Sequence, residues 1–253
     1  MPGPQPTVHF YDEDIPHWCC PACHNASLEV VPGSFISRLS AFSLRHRHED
    51  WYDADNEEYV FTCMLQCSRR SCQESVAVSG SGRGDKDLDE DKGEYVYYIR
   101  YRAKSFVPPL PVFAIPESCP EDITKRLQTV AALLPVSSGA AVNGIRTVLE
   151  MMLDTQDVPR ETTGDKPQRI PLAQRIQLNR EKLGSHFEAF HALKDFGNHG
   201  SHSDRPIRRS DIEGACQVLD NLIRQLYGKE VDYTRIVSGL SRRYGKKPVP
   251  GNS

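Results

Sequence analysis

A proline-rich segment, FVPPLPVFAIPESCP at 106–120, constrains the fold of this chain more than any other feature. Its prolines lack backbone donors and fix φ, so the segment is excluded from central strands and helices and is predicted to be an extended connector. Cysteines and short β-type runs precede it, whereas apolar residues at helical spacing follow it. The sequence therefore predicts an α+β protein, with a cysteine-rich β module at 1–107 and helices from residue 108 onward.

Three runs rich in Val, Tyr, Phe and Ile predict strands in the first half, at 57–64, 74–80 and 94–101. The segment SGSGRGDKDLDEDKGE at 79–94, which joins the last two runs, holds glycine, serine and charged residues but almost nothing apolar. Such a segment cannot bury enough surface to offset the entropy lost on ordering it. We therefore expect a mobile acidic loop at 79–94.

The cysteines are concentrated in the first half, where six of the eight fall between residues 19 and 72. A Cys-Pro-x-Cys turn and a second pair of cysteines further along the chain can each project two thiolates. Four thiolates close a tetrahedron around Zn²⁺ and leave no open position for a substrate. We therefore predict a zinc-ribbon-like module with a structural Zn²⁺ ion and four ligands: Cys20, Cys23, Cys67 and Cys72.

The ligand set has alternatives at this stage. Cys63 and Cys67 are also close enough in sequence to form the second pair of ligands. A second alternative is that the cysteines are reduced, partly buried thiols that bind no metal. The charged run LRHRHED at 44–50, which holds two histidines, is more typical of a solvated face than of a metal site. Three histidines can nevertheless replace a cysteine as ligand: His24, His46 and His48.

The second half shows helical periodicity with start and stop signals. Ser118 and Glu121 have the spacing of a capping box, as do Ser210 and Glu213. Apolar residues recur at helical spacing between these signals, and prolines or glycines separate one predicted helix from the next. The predicted helices lie at 121–134, 137–153, 171–184, 187–196 and 210–228, and a weaker helix then leads into a basic tail at 231–253.

Two stretches of this half carry most of its notable polar residues. SSGAAVNGIRTVLEMMLD at 137–154 holds Arg146 and Glu150 one helical turn apart, and LKDFGNHGSHSD at 193–204 crowds charged, amide and imidazole side chains together. With LIRQLYG at 222–228, they resemble a helical domain of unknown function found in prokaryotic restriction-endonuclease subunits and in stand-alone proteins. That domain looks like a branch of the HEPN superfamily of helical, often dimeric modules that cleave RNA or bind nucleotides.

The resemblance covers roughly residues 108–228 and implies an all-α HEPN-like helical bundle, which we assign to 108–230. It also implies a homodimer formed through that bundle and association with RNA or with a nucleoprotein partner. The implied setting is prokaryotic defence or stress response. A cysteine-containing ribbon before such a bundle is a familiar arrangement in this family.

The resemblance further implies candidate catalytic residues. In HEPN ribonucleases a histidine moves the proton of the ribose 2′-hydroxyl or of the leaving oxygen, and an arginine about four to six intervening residues earlier offsets phosphate charge. No arginine occupies that interval here, and Lys194, which has the spacing to His199, cannot fork onto a phosphate. By analogy, the candidate site comprises His199 and His202 as acid–base groups, with Arg146, Glu150, Lys194 and Asn198 as supporting groups.

Three hypotheses follow for the whole chain. The first is an RNA-associated, zinc-bearing HEPN-like protein, and the second is a non-catalytic dimerisation or adaptor protein. The third is a metal-independent endoribonuclease with a degenerate motif. A structural interpretation of the histidine stretch is also open: Gly197 ends the helix with positive φ, Asp195 and Asn198 bond freed backbone groups, and His202 pairs with Glu150.

The net charge of −3 gives no global attraction to nucleic acid or membrane, so RNA binding requires a local patch. The basic residues between Arg205 and Lys247 are candidates for such a patch. No apolar run approaches the roughly 20 residues of a membrane-spanning helix. The first residues lack the charged and apolar regions of an export signal. We therefore expect a cytoplasmic protein without a membrane partner.

Overall fold

The computed structural model describes residues 8–11, 14–202, 207–229 and 234–244, with only the backbone described at 199–202. An antiparallel sheet forms the first half and a helical region forms the second, which confirms the predicted α+β class. The connector at 108–120 contains neither strand nor helix, as its prolines predict. Among the described residues, no helix has the length and apolar content needed to cross a membrane.

The described part of the first half forms a six-stranded antiparallel sheet in the order β1-β6-β5-β4-β2, with β3 also pairing with β4. Its long central strands alternate between buried and exposed residues, so one face is covered and the other is open. A short helix, α1, and a 3-10 turn at Ala54–Asn56 lie in the connection before β4. The elements are β1 His9–Phe10, β2 Leu28–Val30, β3 Ile36–Leu39, α1 Ala41–His46, β4 Glu58–Cys67, β5 Ser75–Asp89 and β6 Glu94–Val107.

Aromatic side chains fill the covered face of the sheet. Trp18 is fully buried, and its ring centroid lies 5.0 Å from that of Phe106 and 5.5 Å from that of Phe10 in edge-on contacts. Phe61 and Tyr101 extend this cluster across β4 and β6 at a centroid distance of 5.3 Å. Edge-on aromatic pairs contribute to stability beyond the area they bury, so this cluster is the core of the module.

The prediction of a mobile loop at 79–94 is wrong for most of its length, because β5 continues to Asp89 and β6 begins at Glu94. At Gly80 and Gly82, residues of the neighbouring strands occupy the space that a side chain of the glycine position would need. A Cβ on Gly80 would lie 2.6 Å from the Phe61 ring, and one on Gly82 would lie 2.7 Å from the Tyr101 ring. Glycine here permits close packing inside a strand and does not signal a turn.

The second half contains the predicted helices, although their boundaries differ. The helix expected at 171–184 is divided at Asn179 into two short helices, followed by a 3-10 turn at Gly184–His186. The helices are α2 Glu121–Leu133, α3 Ser138–Thr155, α4 Leu172–Leu178, α5 Arg180–Leu183, α6 Phe187–His202, α7 Arg209–Tyr227 and α8 Thr234–Tyr244.

The prediction that Gly197 ends a helix is wrong, because α6 continues through it to His202. A Cβ on Gly197 would lie 3.2 Å from Cβ of Arg146, so the glycine lets α6 approach α3 closely. Gly144 does the same for α3 and α2, since its Cβ would lie 2.7 Å from Cγ2 of Val130. Helix packing, rather than a turn, explains these two glycines.

Arg175 on α4 joins the loop after α3 to the helical core. Its side chain is only 4% exposed, and its Nη2 lies 2.7 Å from Asp154 Oδ1. The same guanidinium donates to the backbone carbonyls of Pro159 at 3.0 Å and Val158 at 2.8 Å. A buried charge with this many acceptors fixes the C-terminal end of α3 and therefore the position of its polar face.

A groove of about 720 Å³ separates the first cysteine turn from the helical half. Pro21 and His24 line it from the turn, Pro109 and Phe113 line it from the connector, and Leu127 lines it from α2. The cysteine turn and the first long helix therefore line the same groove.

Candidate metal centre and polar helix pair

Two tight turns present the four predicted cysteine ligands. In the first turn, the backbone N–H of Cys20 donates to the carbonyl of Asn25 at 2.8 Å, and His24 has a φ of 56°. In the second, Cys67 ends β4, and Cys72 lies in the loop that leads to β5. Leu28 pairs with Cys67 in the register of β2 and β4, which brings the two turns together.

The four sulfur atoms form a compact cluster in which all Sγ atoms lie within 4.8 Å of one another. The Sγ–Sγ distance is 3.6 Å between Cys20 and Cys72 and 3.7 Å between Cys23 and Cys67. Four sulfurs placed tetrahedrally about 2.3 Å from a zinc ion would be about 3.8 Å apart. The geometry therefore fits a metal ion held by four thiolates.

The alternative second pair with Cys63 is wrong. Cys63 lies four residues before Cys67 on the same face of β4, so their backbones are about 13 Å apart along the strand. Its thiol is buried within the aromatic core, and burial raises the pKa of Cys63 to about 11. The clustered metal-ligating groups of the described residues include no histidine, so His24, His46 and His48 are not ligands in this arrangement.

Ser27 belongs to this centre although the sequence did not indicate it. Its buried hydroxyl lies 3.1 Å from Sγ of Cys67 and 3.9 Å from Sγ of Cys23. A hydroxyl at this distance can donate to a thiolate and stabilise its charge. The sequence did offer one signal for this role, because Ser27 lies in the short turn between the predicted ligand Cys23 and β2.

The structure brings together three of the residues predicted on the helices. Arg146 on α3 donates from Nη1 to Oδ1 of Asn198 on α6 at 2.8 Å. Its Nε lies 3.9 Å from Oε1 of Glu150, whose other oxygen lies 3.2 Å from Nη2 of Arg169. These four side chains form a polar patch at the contact between α3 and α6, which we call the helix-pair patch.

Lys194 lies on α6 one turn before Asn198 and is largely buried. Its Nζ lies 2.6 Å from Oδ1 of Asp195. The other carboxylate oxygen of Asp195 lies 3.1 Å from Nδ1 of His191. His199 and His202 fall where only the backbone of α6 is described, so their side chains lie outside the described residues. We predicted that these imidazoles share a site with Arg146 and Glu150, and this stays a prediction.

Sequence reasoning missed Arg169 and Arg175, which provide the partners of Glu150 and Asp154. For Arg175 a signal was present, because it stands between Leu172 and Ile176 on the apolar side of a predicted helix. A charged residue in such a position requires buried partners. Arg169 carried no comparable signal, since it lies in a polar loop.

Two protein-family models match the chain. A domain of unknown function (DUF8608) matches residues 8–108, and another domain of unknown function (DUF4145) matches residues 128–244. Both families lack an assigned function. No curated protein and no solved structure is significantly similar to the chain.

The two matched regions divide the features described above. The DUF8608 match contains the sheet and the cysteine cluster, and the DUF4145 match contains the helix-pair patch. Neither description mentions RNA, defence or the HEPN superfamily, so those parts of the sequence interpretation stay predictions.

Proposed function

We propose that Cys20, Cys23, Cys67 and Cys72 bind a structural Zn²⁺ ion that holds the first half together. The observation that carries this proposal is the sulfur cluster, whose distances match those of a tetrahedral four-thiolate site. Tetrahedral thiolate sets select zinc or iron, and a closed set gives the ion no position for substrate. Binding would contribute on the order of 10 kcal/mol to the folding of this half.

Elemental analysis of the purified protein tests this assignment. We expect about one zinc per chain in the wild type and a large loss of zinc in Cys72→Ser. Cys63→Ser is the matched control, because Cys63 lies on the same sheet but outside the cluster, and it should keep its zinc. Iron in place of zinc, or equal metal content in both variants, would contradict the proposal.

We further propose that the helical half is an all-α HEPN-like module that associates with RNA or a nucleoprotein partner, in prokaryotic defence or stress response. The residues that resemble the HEPN-like domain support this, and the observation that carries it is the contact of Arg146 with Asn198. This contact places two stretches of the resemblance side by side on the bundle. Arg169, whose side chain is 80% exposed, adds a cation that can reach a phosphate.

Binding without cleavage fits the helix-pair patch better than catalysis. Arg146 is engaged by Asn198 and Glu150, and the ammonium of Lys194 is buried beside Asp195. Neither cation is therefore placed to fork onto a phosphate as a catalytic arginine does. A metal-independent ribonuclease centred on His199 and His202 remains the catalytic alternative, as the resemblance implies.

An RNA-binding assay and a cleavage assay on the same protein separate these possibilities. We expect labelled single-stranded RNA to bind without being cut, with affinity falling as salt rises because phosphate contacts release counterions. Arg169→Glu should weaken binding, whereas Arg180→Glu, a control on α5 whose side chain is also mostly exposed, should not. The buffer should contain neither divalent cations nor a chelator, so that the proposed zinc stays bound. Cleavage that is lost in His202→Ala would favour the ribonuclease.

A second candidate function is that of a dimerising adaptor, and α8 favours it. Four apolar side chains of this helix are exposed by 53% to 74% of their surface. Exposed apolar surface of this kind marks interaction sites. Leu240→Asp should then lower the mass measured by light scattering, while Arg242→Asp, on the same helix, should leave it unchanged. The exposed residues are Ile236, Val237, Leu240 and Tyr244.

A further inference from the structure

The cysteine cluster contains two sulfur contacts that cross from one turn to the other. Sγ of Cys20 lies 3.6 Å from Sγ of Cys72, and Sγ of Cys23 lies 3.7 Å from Sγ of Cys67. The members of these pairs are 52 and 44 residues apart in the sequence, so each pair links the first cysteine turn to the second. The arrangement that fits a metal ion therefore also brings two sets of disulfide partners together.

The two sulfurs of each pair differ in their exposure. Cys23 and Cys72 are half-buried, whereas Cys67 is only 2% exposed and Cys20 is fully buried. A redox-sensing cysteine is accessible to the oxidant and commonly lies beside a second cysteine that resolves the oxidised sulfur. Each pair therefore holds one sulfur that an oxidant can reach and one sheltered sulfur that can resolve it.

The groove beside the cluster gives a small oxidant access to the half-buried sulfurs. Ala22 and His24, which flank Cys23, line this groove of about 720 Å³. Glu74, two residues after Cys72, also lines it. The groove therefore borders the two segments that carry the accessible cysteines.

We infer that a hydroperoxide replaces the ion with two disulfide bonds, one between Cys20 and Cys72 and one between Cys23 and Cys67. The centre is then a reversible redox switch whose oxidised form holds no zinc. This inference rests on the proposed zinc site and adds the regulation of that site.

The oxidation of each pair takes two steps. The half-buried thiolate attacks one oxygen of hydrogen peroxide, the O–O bond breaks, and a sulfenic acid and a hydroxide ion form. The buried thiolate then attacks the sulfenic sulfur, so that the S–S bond forms and a second hydroxide ion leaves. Each pair loses two electrons to one peroxide, and after both pairs have reacted the four sulfurs carry no charge to hold Zn²⁺.

The pairing determines whether the first half survives the loss of the ion. Disulfide bonds between residues 52 and 44 positions apart restrict the unfolded chain and keep the two turns joined. Bonds within each turn, from Cys20 to Cys23 and from Cys67 to Cys72, would close only short loops and leave the turns unconnected. We therefore expect the oxidised, zinc-free protein to stay folded under conditions where the reduced, zinc-free protein unfolds.

Titration of the zinc-loaded, full-length protein with hydrogen peroxide tests the exchange. A chromophoric chelator should report about one zinc released for every two peroxides consumed. Four of the eight cysteine thiols should be lost in the same titration. Cys19→Ser is the matched control, because Cys19 is half-buried beside Cys20 but lies outside the cluster. This variant should release zinc as the wild type does.

Peptide mapping without reductant identifies the bonds. Trypsin cuts after Arg38 and after Arg69 and Arg70, so Cys20 and Cys23 share one peptide while Cys67 and Cys72 fall on two others. The inferred bonds attach the first peptide to both of the others, whereas bonds within the turns would join the other two to each other. Fragmentation between Cys20 and Cys23 in the mass spectrometer then assigns each partner.

Thermal unfolding followed by circular dichroism completes the test. The first half should keep its transition after oxidation and lose it when a chelator removes zinc from the reduced protein. A dithiol reductant added with zinc should restore the starting state, because thiol–disulfide exchange regenerates the ligands.

Several outcomes would overturn the inference while the proposed zinc site stands. These are zinc retained in excess peroxide, sulfinic acids in place of disulfides, bonds within the turns, and unfolding of the oxidised protein. A wild-type protein that contains no zinc before oxidation would instead refute the zinc site, and the inference with it. The measurement of metal content before the titration therefore separates the two failures.

Discussion

Ser27 contributes to the cysteine cluster without binding the ion itself. Its buried hydroxyl has one proton, which it can donate to Sγ of Cys67 at 3.1 Å or to the carbonyl oxygen of Asn25 at 3.2 Å. Partners of this kind orient metal ligands and stabilise their charge. The strength of the proposed zinc site therefore depends on a residue that has no metal chemistry of its own.

We predict that Ser27→Ala lowers the affinity for zinc by about tenfold, because removing a group that supports a ligand commonly has this effect. Competition with a chromophoric chelator measures the change. Ser79→Ala, at an exposed position on the same sheet, should leave the affinity at the wild-type value. Equal affinities for the two variants would show that the hydroxyl has no influence on the ion.

Asp154 carries a charge that joins α3 to two arginines of the helical half. Burial alone would raise its pKa, but hydrogen bonds and ion pairs with Arg160 and Arg175 lower the pKa of Asp154 below its ordinary value. A lowered carboxylate pKa adds stability above the unfolded pKa of about 3.9, and this stability is lost as the pH falls through the folded pKa.

We predict that Asp154→Asn lowers the free energy of unfolding at pH 7 by about 3 kcal/mol, because Arg175 is left buried without its carboxylate. The difference from the wild type should shrink as the pH falls from about 4, where the unfolded carboxyl is protonated, through the lowered folded pKa of Asp154. Denaturant unfolding at several pH values measures both effects. Glu121→Gln, which breaks an exposed pair with Lys125, should change stability little. A difference that did not depend on pH would contradict this assignment.

At the scale of elements, β5 shows how tertiary contacts override local sequence preference. Its Ser-Gly-Ser-Gly-Arg-Gly run is typical of a loop, yet it forms a paired central strand. Phe61 and Tyr101 occupy the space beside Gly80 and Gly82, and the carbonyl of Ala54 occupies that beside Gly84. The strand is therefore specified by the neighbours that pack on it.

The order of helices was predictable because apolar spacing is a local signal. Neither predicted capping box forms, however, because α2 begins after Pro120 and α7 begins after Arg208, each without a side-chain cap. The cysteine turn was also predictable from a local signal, since Cys20 and Cys23 lie three residues apart in one turn. The strand at Gly80 and the continuation of α6 through Gly197 were not, because each depends on a close approach by a distant residue. Arg175 was missed for a related reason: its acceptors lie on a loop whose path the sequence does not determine.

We predict that Gly80→Ala destabilises the sheet by about 1–3 kcal/mol, because the new Cβ would lie 2.2 Å from the carbonyl oxygen of Arg102. Gly214→Ala in α7 is the matched control. Nothing lies within 4 Å of its Cβ position, so alanine should stabilise that helix by about 0.5–1 kcal/mol. Chemical denaturation followed by circular dichroism compares the two. Equal effects in both variants would contradict the role given to close packing in β5.

At the scale of the whole molecule, the two halves have separate hydrophobic cores. The core of the sheet extends from Phe10 to Leu110, and that of the helices extends from Cys119 to Ile223, with no residue in common. The cysteine cluster lies entirely within the first. Each half therefore has its own source of stability, and only the first depends on the proposed ion.

We predict that a strong zinc chelator removes one thermal transition and preserves the other. The sheet should unfold when the proposed zinc is withdrawn, because that ion would contribute on the order of 10 kcal/mol to its folding. The helical half should retain its melting temperature, as followed by circular dichroism at a helical wavelength and by calorimetry. Simultaneous loss of both transitions would show that the halves fold as one unit.

The position of the Cys20–Cys23 turn against the groove has a consequence for redox chemistry. Oxidants attack accessible thiolates, and oxidised cysteines release zinc. Since Pro21 and His24 of this turn line the same groove as Leu127 of α2, loss of the proposed ion would reshape part of that groove. Oxidation of the four sulfurs would then alter the part of the groove that the first half lines, while the helical core keeps its own packing.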